Sequence, residues 1–220
     1  MYTGNVFRIN FAPFRYFCPM FSLQVQSSLL QKLEQWDQWL FIKVNSQMAN
    51  PFFDSIMPYL RTSFIWAPLY LFLFVFAIFN FRRRGLWWVV LFICTVSITD
   101  IISSQFFKEA FERVRPCQEP DFLNHVRLLV KRCSGNYSFT SSHAANHFGM
   151  ATFFFFTARH MIKKWAWIAF VWAAIISYAQ VYVGLHYPFD VFGGALLGIL
   201  FGLVIGMFFN KRFGFVIFGK

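Results

Sequence analysis

An all-α, integral membrane helical bundle of about five spans, preceded by an interfacial amphipathic helix, is the fold class this sequence predicts. Three observations lead to it. Of 220 residues, 58% are apolar and 13% charged, where an ordinary soluble domain carries about 25% charged residues. Several runs of the roughly 20 residues needed to cross a hydrocarbon core about 30 Å thick are almost free of Asp, Glu, Lys and Arg. Between those runs the basic residues come in short bursts, the pattern of positive loops on one side of a membrane. The formal charge of +11 would by itself suggest a nucleic-acid partner, but its placement points to a bilayer instead. Disorder, collagen and a disulfide-dense secreted scaffold are excluded by the same composition.

Residues 1–28 contain Arg8, Arg15 and two prolines and lack the apolar core of a signal peptide. They are read as an extension of unknown role, within which Met20 is an alternative start. From Leu29 to Asn45, Leu29, Leu30, Leu33, Trp36 and Leu40 alternate at helical spacing with Gln, Glu34 and Asp37, as in an interfacial helix. Read as a sixth span, the segment would carry Lys32, Glu34, Asp37 and Lys43 into the membrane, at a few kcal/mol each. The helix and its connector occupy 29–60, and the bundle 61–220. Thr62 to Phe81 is the first span, closed by Arg82, Arg83 and Arg84. Gly85 to Phe107 follows, interrupted only by Asp100. Ser142 to Ala158 is the third, stopped by Arg159, Lys163 and Lys164. Trp165 to Val183 and Val191 to Phe209 complete the set, the last closed by Lys211 and Arg212. With all three basic clusters in the cytoplasm, the spans alternate without conflict, and Lys108–Ser141 shares the extracytoplasmic side with Gly184–Asp190. Gly194, Gly198, Gly202 and Gly206 recur every four residues on one face of the last span, a pattern for close helix packing.

Chemistry-bearing residues gather on that outer side. Asp190 is the only acid after Asp121. It follows His186 by four positions, so it can accept from one ring nitrogen and leave the other as nucleophile or base; it can equally cap the helix that begins there. Lys108 and Arg115, seven apart, would share a helix face and hold an anion, Arg115 through two oxygens at once, or else touch lipid headgroups. In Tyr137-Ser138-Phe139-Thr140-Ser141-Ser142-His143 small hydroxyl residues lead into a helix start, whose free amides suit an anion, and His143 is placed to move a proton. His147 lies one turn on, but Ala144 stands where a metalloprotease pair requires Glu, so no metal site is assigned. Together the three clusters read as phosphate chemistry.

These residues resemble the type 2 phosphatidic acid phosphatase superfamily, integral membrane lipid phosphatases that share a fold with vanadium haloperoxidases. Lys108, Arg115 and Pro116 match its Lys, six residues, Arg-Pro. Thr140-Ser141-Ser142-His143 stands for Pro-Ser-Gly-His. Ala179-Gln180, then His186 and Asp190 at the family spacing, stand for Ser-Arg, five residues, His, three residues, Asp. The resemblance covers about Leu29 to Phe209 and implies hydrolysis of a phosphorylated membrane lipid without cofactor or dedicated metal. His186 would attack phosphorus, Asp190 orient it, and His143 protonate the leaving oxygen. Lys108, Arg115, Ser141 and Ser142 would hold the phosphoryl oxygens. Undecaprenyl diphosphate leads the substrates so implied, ahead of phosphatidic acid, phosphatidylglycerol phosphate and lipid A.

Gln180 departs from the pattern, replacing an arginine by a neutral amide. Charged hydrogen bonds are worth about 1.5 to 3 kcal/mol against about 1 for neutral ones, so the change could cost on the order of tenfold, unless Arg113, Arg127, Lys131 or Arg132 compensates. That departure keeps two alternatives open, a lipid phosphotransferase and an inactive lipid-binding protein. Cys117 and Cys133 flank the external loop and can close it with a disulfide or stay free thiols.

Overall fold

The structure is a computed structural model that describes the backbone of residues 20–215 and side chains from residue 29 on. Most of the extension assigned to 1–28 lies outside the described residues. The chain divides into two compact units, Met1–Trp36 and Asp37–Lys220. The described part of the first is the beginning of helix α1 (Met20–Ile42), where Leu29, Leu30, Leu33 and Trp36 are exposed.

The second unit is built from helices whose ends follow local chemistry. Helix α2 (Pro51–Leu60) starts on Asn50, whose side chain accepts the Phe53 amide at 3.0 Å, with proline in the first turn. Helix α3 (Ala67–Phe81) and helix α4 (Arg83–Ile101) meet at Arg82, with φ of 49°. From α4 the chain continues through a π-helical stretch, Ile102–Phe107, into the short α5 (Lys108–Phe111). Among the described residues, four helical stretches are long and apolar enough to cross a membrane: Ser63–Phe81, Arg83–Phe111, Ser142–Tyr182 and Pro188–Arg212. The 41 residues of the third would measure roughly 60 Å if straight, twice a hydrocarbon core. Instead the stretch reverses at Lys163, with φ of 52°, between α6 (Ser142–Ile162) and α7 (Ile168–Tyr182). Ring contacts pair His147 with Trp172 and Phe155 with Trp167, numbers falling on one helix as they rise on the other, so the two are antiparallel. The described residues thus give five spans, and two of the basic clusters form the reversals between them.

Helix α6 is the central post. Thr99 meets Asn146 and Trp88 meets Thr157, so α4 runs antiparallel to it. Helix α8 (Pro188–Arg212) runs parallel to α6: Gly194 faces Ser141, Gly198 faces Ala145, and Gly202 faces Gly149. At these three glycines a Cβ would overlap a backbone oxygen of α6, so the four-residue spacing lets two backbones touch. The outward faces are apolar, with Phe64, Leu71, Phe72, Phe79 and Leu200 exposed, as suits contact with lipid.

Two expectations are corrected. Asp37, read as part of the solvated face of an amphipathic helix, is fully buried together with Phe41, while Trp36 and Trp39 are exposed, so the face turned toward protein carries an acid as well as an aromatic ring. Lys108 and Arg115 do not share a helix face. Glu112 adopts the left-handed conformation, φ 46°, which ends α5, and Arg115 lies in extended backbone.

Gly198→Ala should lower the thermal midpoint in detergent by several degrees, in keeping with about 1–3 kcal/mol for overpacking. Gly206→Ala should cost less, because its added Cβ would meet the Phe156 side chain at 3.2 Å rather than overlap backbone. Equal shifts would contradict backbone contact as the cause.

Candidate active site

The α5 end, the loop 112–141, the start of α6 and the link from α7 to α8 bring their side chains to one end of the bundle, where Asp37 of α1 and Arg61 at the end of α2 also reach. The turn Val183–Tyr187 is wholly buried, which places His186 inside protein. Arg115, 3% exposed, donates through Nη1 to His186 Nε2 at 3.0 Å. Its other donors reach backbone carbonyls of Asn136 at 2.7 Å, Leu185 at 3.1 Å and Tyr137 at 3.3 Å. Since the guanidinium can only donate, Nε2 carries the lone pair and the ring proton sits on Nδ1.

On the Nδ1 side the arrangement is less direct than the sequence suggests. Asp190 Oδ2 stands 3.7 Å from Nδ1, beyond a hydrogen bond. Ser138 lies between, its hydroxyl 3.4 Å from Nδ1 and donating to Asp190 Oδ2 at 2.5 Å. Asp190 also accepts the Tyr187 amide at 2.8 Å, so it caps α8 and backs the histidine together. Burial pushes His186 down to about 4; Asp190 pulls the other way, and Arg115 adds to the depression. The ring is therefore neutral at pH 7, with its lone pair on Nε2.

Ser141 caps α6, accepting the Ala144 amide, while its own N–H donates to the Asp190 carbonyl at 2.9 Å. The amides of Ser142 and His143, in the first turn, have no intrahelical acceptor. Ser142 Oγ lies 3.0 Å from Ser103 Oγ. His143 is partly exposed, within electrostatic range of Arg61, Lys108 and His186. Lys108 is 7% exposed and forms no ion pair among the described residues. His147 is packed: its Nδ1 donates to the His143 carbonyl at 2.7 Å, and Trp172 covers its ring at 4.9 Å.

Several participants escaped the sequence reading. Arg113, entertained only as a stand-in for the missing arginine, instead bridges Asp190 Oδ1 at 2.7 Å and Asp37 Oδ2 at 2.6 Å, with its guanidinium 4.3 Å from the Tyr187 ring centroid. Burial pulls the Arg113 pKa down, but the two carboxylates outweigh it and hold the group above its ordinary value. Arg127 pairs with Asp54 at 2.6 Å; Lys131 and Arg132 are exposed. Gln180 is fully buried, and its Oε1 accepts from Arg61 Nε at 3.4 Å. Arg61 carried no sequence signal beyond standing just before the first span. Cys117 and Cys133 are joined as a disulfide, with Cα atoms 6.0 Å apart.

Arg113→Ala leaves two buried carboxylates unpaired, so a loss of about 3–5 kcal/mol is expected, read as a fall in the thermal midpoint. Adding Asp37→Asn should recover part of it, because one stranded charge is removed. A midpoint unchanged in Arg113→Ala would refute the bridge.

The model of the PAP2 superfamily matches residues 85–213. The lipid A 4'-phosphatase of Bacteroides thetaiotaomicron is 32% identical over 173 residues, 77% of this chain and 75% of that one. The lipid A 4'-phosphatase of Porphyromonas gingivalis is 30% identical over 175 residues, covering 78% and 70%. Among solved structures, the transmembrane PAP2 type phosphatidylglycerolphosphate phosphatase from Bacillus subtilis matches with a TM-score of 0.64 at 25% identity, over 88% of this chain and 94% of that one. A histidine backed by a serine–aspartate pair, faced by an arginine and set beside a capped helix start, thus comes with family-wide similarity in sequence and fold: the chain belongs to the PAP2 superfamily.

Proposed function

We propose that this membrane lipid phosphatase removes a phosphate monoester from a sugar-based lipid of the lipid A type, on the extracytoplasmic face, through a phosphohistidine. The observation that carries the substrate is a cavity of about 420 Å³ beside His143. Ser63, Ser97, Asp100 and Asn146 line it with hydroxyl, carboxylate and amide groups, and Tyr70, Phe74 and Phe92 give it apolar walls. Asn146 is itself oriented by Asp100 at 3.0 Å and by the Thr99 hydroxyl at 2.8 Å. The group leaving phosphorus departs on the side of the proton donor, so these residues meet the leaving alcohol. Carboxylate and amide side chains suit the hydroxyls of a sugar, whereas a prenyl diphosphate presents none. Similarity to two lipid A 4'-phosphatases supports the same choice over undecaprenyl diphosphate.

In this reading His186 Nε2 attacks phosphorus as the leaving oxygen takes a proton from His143. The one Arg115 N–H that rests on the ring nitrogen turns to a phosphoryl oxygen while its other donors stay on their carbonyls, joined by Lys108 and the amides that open α6. His143 then draws a proton from water, which attacks the phosphohistidine and frees inorganic phosphate. Asp190 steadies the charge that forms on His186, with Ser138 between them. No step uses a metal. The basic reversals at Arg82 and Lys163 support a cytoplasmic location for the opposite end.

Phosphate release by purified protein, measured against lipid A, undecaprenyl diphosphate, phosphatidic acid and phosphatidylglycerol phosphate, should be fastest with lipid A, should persist in a chelator, and should vanish in His186→Ala. Preference for a diphosphate would refute the sugar-lipid reading. Because His186 reacts in its neutral form, its contribution to kcat/KM falls only as pH drops through about 4. Assayed with a substrate whose own ionisation is known, an enzymic acid limb near 6.5 would contradict that environment.

A further inference from the structure

We propose that Arg61, from the end of α2, is a phosphate-binding residue of this site, with Gln180 as its orienting partner and second donor. The proposal rests on the phosphatase reading of the site.

Helix α2 lies against α7, where Met57 packs with Ala179, Tyr182 and Val183. The Arg61 amide closes that helix on the Met57 and Tyr59 carbonyls. The side chain then turns inward, where an arginine at a span end ordinarily reaches toward headgroups. Its Nε donates to Gln180 Oε1 at 3.4 Å, on a glutamine with no exposed surface. That contact uses one of five guanidinium N–H groups.

Nothing acidic answers the charge. Among the described residues the arginine ion pairs are Arg113 with Asp37 and Asp190, and Arg127 with Asp54. Burial lowers the Arg61 pKa with no carboxylate to offset it, and its charge in turn helps to depress Arg115. Arg61, Arg115 and Lys108 therefore converge around His143 and His186 in mutual repulsion, which an anion between them would relieve. A second orphan stands beside the first: Gln180 Nε2 is buried and has no hydrogen-bond partner. A buried donor left unmet is costly, and a phosphoryl oxygen is an acceptor that both the amide and the guanidinium can share. Carbonyl acceptors hold Arg115 in place, whereas the terminal nitrogens of Arg61 make no hydrogen bond to the described residues, so Arg61 brings the freer guanidinium.

The test compares wild type with Arg61→Ala, Arg61→Lys, Gln180→Arg, and Arg61→Ala combined with Gln180→Arg. It reads orthovanadate affinity by thermal shift and kcat/KM for phosphate release. Arg61→Ala should weaken orthovanadate binding about tenfold or more, the loss of one charged hydrogen bond, with an equal or larger fall in kcat/KM. Lysine should restore part of it. Gln180→Arg alone should bring no gain, since it sets two guanidinium groups together. In the Arg61→Ala background it should recover most of the affinity, because the guanidinium returns from the neighbouring side chain; a structural role for Arg61 would give no such rescue. Equal orthovanadate affinity in wild type and Arg61→Ala, or a loss in folded Arg61→Ala that Gln180→Arg does not reverse, overturns the assignment. Orthovanadate binding needs no turnover, so failure to hydrolyse lipid A would count against the substrate alone.

Discussion

The guanidinium of Arg113 stands between two carboxylates with no solvent exposure, Asp37 on α1 and Asp190 on α8. Without that cation each acid would be a buried charge lacking an ion-pair partner. Asp37 in turn accepts the Phe189 amide at 2.9 Å, and Ser138 N–H donates to the Arg113 carbonyl at 2.7 Å. A single charge balance thus joins the end of α1, the outer loop, the opening turn of α8 and, through Ser138, the ring of His186. The His186 ring is thereby tied to a contact more than 70 residues away in the chain.

Beneath that cluster the bundle supplies rigidity by a different means. Lipid gives helices no hydrophobic reason to associate, so close backbone approach has to do it. The glycine face of α8 lets the α6 backbone lie against it from Ser141 to Gly149. Because the two helices are parallel, their starts fall side by side, and the Ser141 amide can reach the Asp190 carbonyl. The amides that open α6 and the carboxylate behind His186 are thereby fixed relative to each other by main-chain atoms alone.

Much of this was legible in the sequence, and what was legible was local. Charge-free runs located five spans, the basic bursts located two of their reversals, and fixed spacings picked out His186, Asp190, His143, Ser141, Lys108 and Arg115. Non-local pairings were not legible. Asp37 looked solvated because periodicity describes one helix and not what packs on it. Lys108 and Arg115 seemed to share a face because spacing cannot register the left-handed Glu112 between them. Arg61 and Gln180 are 119 positions apart, and only the packing of α2 on α7 makes them neighbours. Ser138 was one hydroxyl in a run of several, and nothing in the run marked it as the one that would stand between histidine and acid.

The cross-link between Cys117 and Cys133 touches no reacting atom, yet its position gives it a hold on the chemistry. Arg115 lies two residues before one sulfur, and the Asn136 and Tyr137 carbonyls that grip its guanidinium lie three and four residues after the other. Gln118 reaches the Ser134 carbonyl at 3.1 Å across the same gap. Two lengths of irregular backbone are pinned side by side at their midpoint, so the arginine and its acceptors have little freedom to separate. Oxidation of two thiols is thereby written into the stiffness of a cation that rests on His186 Nε2, and the site is fully braced only in a chain whose cysteines have already met.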